Sequence, residues 1–326
     1  MMRAIVVRAT GGPEALELAE LPIPTPGPGQ ALIEIGYSGV NFVDIYTRTG
    51  LYKTPLPAVP GSEAAGVVRA LASDVHDLSV GDHVAYAMTR GSYAEYAVVP
   101  ADRLVRVPVG IEDRVAAAVM LQGMTAHYLA RSTYPLTPND TALVHAAAGG
   151  VGQLLVQIAK RSGARVIGTV SSEPKAAVAR AAGADHVINY SAQDFSTEAR
   201  RLTDGRGVSV VYDGVGAATW DGSLNALRPR GMLVSYGNAS GPVPPIAPLV
   251  LSEKGSLFLT RPSLGAYIAT RAELESRAQD LFAWIADGSL RVAIDHVYPL
   301  EDAAQAQGAL EGRHTMGKVL LALHRQ

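Results

Sequence analysis

An α/β fold, a doubly wound parallel sheet carried beside a second, mostly β domain, is what this 326-residue chain predicts, and three observations predict it. The first hundred residues are short apolar runs broken by Gly and Pro. After Pro138 the texture changes to apolar strand, Gly-rich turn and amphipathic helix in repeating order. The length also exceeds one ordinary core, since a domain takes about 100 to 200 residues.

The early runs read as strands at Arg3 to Arg8, Gln30 to Gly36, Gly66 to Leu71, His83 to Ala87 and Ser92 to Val99. Pro22, Pro24, Pro26 and Pro28 alternate in a stiff, extended connector. From Glu112 to about Arg131 the pattern is helical, and the chain leaves that helix before Pro135. Parallel strands are then placed at Thr141 to Ala147, Arg165 to Val170, His186 to Asn189, Val208 to Tyr212, Met232 to Ser235 and Ser256 to Thr260. Six such segments suit a doubly wound sheet. A helix from Arg271 to Ala286 carries Leu274, Ala278, Leu281, Trp284 and Ile285 on or near one face, and Met316 to Leu323 is a last strand. Both are expected to return to the first domain.

Composition narrows the function. The chain is 48% hydrophobic and 18% charged, with a formal net charge of −2, so no bulk attraction toward nucleic acid or anionic lipid is expected. It has no cysteine, which removes disulfides, thiolate nucleophiles, iron–sulfur clusters and every sulfur-ligated zinc site. Met1 to Ala9 lacks the pattern of a signal peptide, and no apolar run approaches the roughly 20 residues of a membrane helix. A cytoplasmic protein is the expectation.

The segment from Leu143 to Gly152 places Gly149, Gly150 and Gly152 between a strand and a helix whose apolar positions, Val151, Leu155 and Ile158, follow helical spacing. Small residues let the backbone approach a pyrophosphate, and the N–H groups and positive dipole end of the helix neutralise it. An acidic side chain about 20 residues further on signals a free ribose 2′-hydroxyl. Here the second strand ends in Ser171, Ser172, Glu173, Pro174 and Lys175. The two hydroxyls and the ammonium suit a 2′-phosphate, because charge-assisted bonds to phosphate contribute ~1.5 to 3 kcal/mol each. The reading therefore favours NADPH, with Glu173 leaving NADH open unless it serves only as a first-turn charge. Tyr190, ending the third strand, is either an adenine-side contact or a core tyrosine.

Seven segments together resemble the zinc-independent quinone oxidoreductase and zeta-crystallin branch of the medium-chain dehydrogenase/reductase superfamily, along essentially the whole chain. They are Gly39-Val40-Asn41-Phe42-Val43-Asp44, Gly61-Ser62-Glu63-Ala64-Ala65-Gly66, Leu121-Gln122-Gly123-Met124-Thr125-Ala126, the Ala-Ala-Gly-Gly-Val-Gly turn, Tyr212-Asp213-Gly214-Val215-Gly216, Ser235-Tyr236-Gly237-Asn238 and Thr260-Arg261-Pro262-Ser263-Leu264. The resemblance implies a GroES-like substrate domain from residues 1–125 and 266–326, a Rossmann domain from residues 126–265, and NADPH in the cleft between them. Where zinc-containing relatives carry metal ligands, this chain has Asn41, Ser62 and, at about the third place, Leu121. His76, His83, His127 and His145 show no metal-ligand spacing.

By the same resemblance Asn41, Tyr46, Tyr52 and Gln122 face the nicotinamide and substrate. Thr125, Gly149, Gly150, Val151, Gly152, Ser171, Ser172, Lys175, Tyr190, Gly214, Gly237, Asn238 and Arg261 are the candidate cofactor contacts. Read as residues alone, Tyr46 and Tyr52 are equally core aromatics, and Asn41 is equally a turn cap. The chemistry implied is metal-free hydride transfer to a quinone, with Asn41, Tyr46 or Tyr52 donating to the developing oxyanion. No dedicated proton donor is apparent. Rival expectations are an enone or enoyl reductase, and a non-catalytic NADPH-binding crystallin-like or RNA-binding protein. The apolar sixth strand and the Arg261 region form a candidate edge for pairing with a second copy, so a homodimer is expected.

Overall fold

A computed structural model describes Met1 to His324, and the chain divides into two compact units, Met1–Met124 with Tyr267–Gln326, and Thr125–Ala266. In the first unit a seven-stranded sheet runs in the order Ile294–Pro299, Lys318–Ala322, Gln30–Val40, Glu63–Leu71, His83–Ala87 and Val105–Arg106, with Tyr96–Pro100 also paired to Gln30–Val40. Every pairing is antiparallel except the first, Ile294–Pro299 on Lys318–Ala322. Ile33, Ile35, Val68, Val84, Val99 and Leu321 fill its core. Met2–Val6 and Glu17–Leu21 form a separate antiparallel pair.

Several boundaries move from those the sequence predicts. The first strand stops at Val6, because Val7 makes only an isolated bridge to Ala58. Gln30–Val40 runs four residues past Gly36 because Lys318–Ala322 pairs along its second half, with Val319 opposite Val40 and Ala322 opposite Tyr37. The run from Ser92 becomes a strand only at Tyr96–Pro100, since Ser92 and Tyr93 spend their N–H groups on Gly61 and Pro60. Helices Phe42–Arg48 and Ala303–Glu311 are additions to the predicted set. The predicted helix before Pro135 is Asp113–Tyr128, closed by one π-turn over Leu129–Thr133. Arg271–Ala286 has the predicted bounds and buries Leu274, Ala278, Leu281 and Trp284, with Phe282 buried and Ile285 only half-buried.

The second unit holds six parallel strands in the order His186–Asn189, Arg165–Val170, Thr141–Val144, Val208–Asp213, Leu227–Ser235 and Phe258–Thr260. The chain works outward one way from Thr141–Val144 and then the other way, so the order reverses beside that strand. Ligands of such sheets bind at the carboxyl ends at this reversal. Leu143, Ile167, Val211 and Leu233 are fully buried, each contributing roughly 1.5 to 3 kcal/mol by leaving water. Leu155 and Ile158 bury the inner face of helix Gly150–Arg161, while Val151 at its start is half-buried.

Candidate active site

The phosphate turn of the second unit follows from glycine geometry. Strand Thr141–Val144 hands the chain through Ala146, at φ 49°, to Gly149, the N-cap of helix Gly150–Arg161. A Cβ on Gly152 would lie 2.2 Å from the Ala146 carbonyl oxygen, so only glycine lets the first helical turn pack this close to the strand. The first N–H groups of a helix have no acceptor inside it. With no side chain at Gly149 to cap them, those of Gly150, Val151 and Gly152 are presented as an anion cradle. The residues fit a dinucleotide pyrophosphate.

Beyond the neighbouring strand Arg165–Val170, Ser171 and Ser172 lead into helix Glu173–Ala181, with Ser172 at its N-cap and Lys175 in its first turn. Ser191 Oγ donates to the Ser171 carbonyl at 3.0 Å, which brings the segment after Tyr190 beside the serines. Tyr190 is 41% exposed, so the core alternative does not describe it. Glu173 turns along its own helix and accepts from Arg180, in an exposed ion pair. Its carboxylate is thereby a first-turn charge with a partner of its own.

Gly214, Gly237, Asn238 and Arg261 meet at the carboxyl ends of the next three strands. Tyr236 N–H donates to Asp213 O at 2.8 Å and Ala239 N–H to Gly214 O at 3.2 Å, tying the two glycine loops together. Arg261 donates to Ser235 O at 2.8 Å, and in the amide orientation that satisfies both groups Asn238 Oδ1 accepts from Arg261 at 3.1 Å. Thr125, 7% exposed, sits on helix Asp113–Tyr128 at the head of this unit. Beneath the loops lies a buried network that sequence reasoning did not single out. Asp213 accepts from Val215 N, Gly216 N, Thr219 Oγ1 and Ser223 Oγ at 2.7 to 3.0 Å. His145 bridges Thr169 Oγ1 at 2.8 Å and Ser223 Oγ at 2.9 Å, and burial holds its pKa below the usual histidine value, so it is a neutral spacer at pH 7.

In the first unit Asn41 ends the long strand and starts helix Phe42–Arg48. Its side chain belongs to a buried polar cluster. Lys318 Nζ donates to Asn41 Oδ1 at 2.8 Å and to Glu63 Oε2, while Asn41 Nδ2 donates to Glu63 Oε2 at 2.9 Å and Gly39 O at 3.2 Å. A Cβ on Gly39 would lie 2.1 Å from that Glu63 oxygen, so the glycine makes room for the ion pair. Glu63 Oε1 accepts from Leu121 N at 2.6 Å, and Gln122 Nε2 faces Asn41 Oδ1 at 3.4 Å, leaving Gln122 Oε1 buried without a partner. Lys318 can only donate and carboxylate Glu63 only accepts, so the Asn41 amide has one orientation. Its hydrogens are committed to Glu63 and Gly39. Asn41 therefore holds Gln122 rather than donating to an oxyanion, which departs from the role expected of it.

Tyr46 and Tyr52 pack edge to face with centroids 5.2 Å apart, Tyr46 buried and Tyr52 38% exposed. Sequence reasoning assigned no role to Glu63, Lys318, Asp44 and Ser62. One signal was present: Asp44 sits three residues after Asn41, the spacing of a capping box, and its Oδ2 accepts from Asn41 N–H at 2.9 Å. Zinc does not fit the positions of Asn41, Ser62 and Leu121. These are not a usual ligand set, and the oxygens of Asn41 and Glu63 already hold the Lys318 ammonium, which repels a second cation. Among the described residues no three His, Asp or Glu side chains converge as metal ligands would.

Comparison with known proteins agrees with this geometry. Residues 27–109 match the family model described as alcohol dehydrogenase GroES-like domain, and residues 150–286 the one described as zinc-binding dehydrogenase. The chain is 46% identical to a quinone oxidoreductase of Pseudomonas aeruginosa over 98% of its own length and 99% of the relative's. It is 42% identical to a 2-haloacrylate reductase of a Burkholderia species, over 98% and 99% of the two chains. The solved structure of Escherichia coli quinone oxidoreductase complexed with NADPH superposes with a TM-score of 0.96 at 43% identity, covering 98% of this chain and 99% of that one. With both units matched, this chain belongs to the zinc-independent quinone oxidoreductase family of the medium-chain dehydrogenase/reductase superfamily.

Proposed function

We propose that the chain is a cytoplasmic, NADPH-dependent quinone reductase that works as a homodimer and transfers hydride without a metal. The observation that carries the reading is full-length similarity to quinone oxidoreductases, joined to a phosphate cradle at the sheet reversal. NADPH, when bound, supplies a hydride from its nicotinamide ring. The N–H groups of Gly150, Val151 and Gly152 take the pyrophosphate, and Gly149, its own N–H donated to Ala146 O at 2.8 Å, leaves room for its approach. Ser171, Ser172 and Lys175 take the 2′-phosphate, and Tyr190 flanks the adenine. Thr125, Gly214, Gly237, Asn238 and Arg261 line the rest of the dinucleotide. On the acceptor side, the hydroxyls of Tyr46 and Tyr52 donate to the developing oxyanion, and Asn41 fixes Gln122.

Support for the homodimer comes from strand Phe258–Thr260. It ends the six-stranded sheet, with Phe258 57% and Leu259 37% exposed, an apolar edge suited to a second copy. A second reading, reduction of an electron-poor carbon–carbon double bond, is favoured by the likeness to the 2-haloacrylate reductase.

The test is the rate of NADPH and NADH oxidation by chelator-treated protein, with a 1,4-quinone and an α,β-unsaturated carbonyl in parallel. Rapid NADPH loss with the quinone supports the first reading, and preference for the unsaturated carbonyl moves the assignment to the second. Lys175→Ala is expected to lower kcat/KM for NADPH by roughly 10- to 100-fold, leaving NADH unchanged, from the loss of one charge-assisted phosphate bond. Equal losses with both cofactors would remove Lys175 from the 2′-phosphate site.

A further inference from the structure

Hydride transfer leaves the acceptor one proton short, and the residues assigned to the acceptor above include no carboxylic acid or imidazole. The first unit holds one nearby. Asp44, 1% exposed, lies on helix Phe42–Arg48 one turn from Asn41, and its two oxygens have different surroundings. Oδ2 receives Asn41 N–H at 2.9 Å and faces the Tyr93 hydroxyl at 3.4 Å. Oδ1 accepts from Ser62 Oγ at 3.0 Å. When Asp44 is neutral its proton therefore belongs on Oδ1, pointing at a serine hydroxyl that can accept it and donate onward. Ser62 directly precedes Glu63, whose carboxylate anchors Asn41 and thereby Gln122.

The same two residues line a small recess, with room of about 20 Å³, that also touches Thr47, Arg48, Thr54 and Arg90. Arg90 is exposed, so the recess reaches solvent. At about 100° per residue, positions 44, 47 and 48 share one helix face and position 46 lies about 200° from 44. The recess thus opens on the side of the helix away from Tyr46.

We propose that Ser62 and Asp44 form the proton relay of the reductase, Ser62 delivering the proton to the reduced acceptor and Asp44 refilling Ser62 from the recess. The proposal rests on the acceptor reading above. The acceptor gains two electrons and one hydrogen as hydride, the nicotinamide is oxidised by the same two electrons, and the charge appears on the acceptor oxygen. The Ser62 O–H bond breaks as the new O–H bond forms. Ser62 takes the Asp44 proton in the same movement, and the Asp44 carboxylate recovers one proton from water in the recess. Asp44 is a positioning and reservoir group; Ser62 is the catalytic residue.

The protonation state is suited to this task. Burial pushes the Asp44 pKa up to about 7, against the bonds from Ser62 and Asn41 N–H and the attraction of Lys318, and Glu63 adds to the rise. Arg48, turned to Gln307 and Glu311, Arg90 across the recess and the Tyr93 phenol, itself raised by burial, are the other titratable groups around it. Near neutral pH the acid form is populated, and it is lost as pH rises through about 7.

The experiment is steady-state reduction of a 1,4-quinone by NADPH from pH 5.5 to 9, in ordinary and heavy water. It compares the unaltered protein with Ser62→Ala, Ser62→Thr and Asp44→Asn. The unaltered protein is expected to lose kcat about tenfold per pH unit above the Asp44 pKa, with a solvent isotope effect on kcat. Ser62→Ala and Asp44→Asn are expected to lower kcat roughly 100-fold, flatten the profile and leave the NADPH Kd unchanged, while Ser62→Thr restores both. An unchanged kcat and profile in Ser62→Ala overturns the relay even if Asp44→Asn fails to fold. A protein that reduces no quinone at any pH overturns the functional reading and the relay with it, an outcome distinct from active enzyme with indifferent variants.

Discussion

Lys318 is the residue whose removal is expected to cost most. It and Glu63 are both about fully buried, with side chains 1% and 0% exposed, and each satisfies the other and Asn41. Removing one charge of such a pair costs about 3–5 kcal/mol, while replacing both with apolar groups costs far less. Lys318→Met should therefore lower stability by about 3–5 kcal/mol in denaturant titration, and Lys318→Met with Glu63→Met should recover most of it. Additive losses would show that the two do not act as a pair. Asp44 brings a pH dependence of its own. Its folded pKa lies above the 3.8 of an exposed aspartate, so its contribution is greatest below about pH 4 and falls as pH rises through about 7. Asp44→Asn, which mimics the neutral acid, should gain a few degrees of Tm on the unaltered chain between pH 5 and pH 8. Lys318 and Glu63 were illegible in the sequence for a plain reason. Lys318 meets Glu63 across 255 positions, and no local pattern marks a partner that distant. Asn41 was legible as a candidate, yet its orientation came only with Lys318.

At the scale of elements, what could be read was what is local. The strand, glycine turn and helix of Thr141 to Arg161 stand together in the chain, and the turn chemistry is written in consecutive residues. Two other parallel strands, Arg165–Val170 and His186–Asn189, have the predicted bounds because both are bracketed by turn residues. The short helix Phe42–Arg48 went unread because seven residues give too little periodicity, although the Asn41 and Asp44 spacing marked its start. The length of Gln30–Val40 was set by its distant partner, not by its own alternation. The turn itself makes a prediction. Gly152→Ala places a methyl group against the Ala146 carbonyl oxygen, so the helix must move off the strand. NADPH affinity measured by fluorescence titration should fall at least about tenfold, with a loss of stability of about 1–3 kcal/mol from overpacking. Unchanged affinity would separate the cradle from the cofactor.

For the whole molecule, the exposed edge strand has a measurable consequence. Phe258→Lys with Leu259→Lys adds charges where a second copy would pair, and edge lysines block such pairing. Light scattering at micromolar concentration should then report a monomer in place of a dimer, and a dimer that survives both changes would move the interface elsewhere. The order in which the chain is made also bears on the molecule. The second unit is continuous from Thr125 to Ala266, whereas the central strand of the first waits for Lys318–Ala322 to arrive. On a ribosome the nucleotide-binding unit has all its strands while the other still lacks one, and Glu63 stays without its cation until Lys318 emerges, 255 positions later. The buried cluster around Asn41 is thus closed only after the whole nucleotide-binding unit has been made.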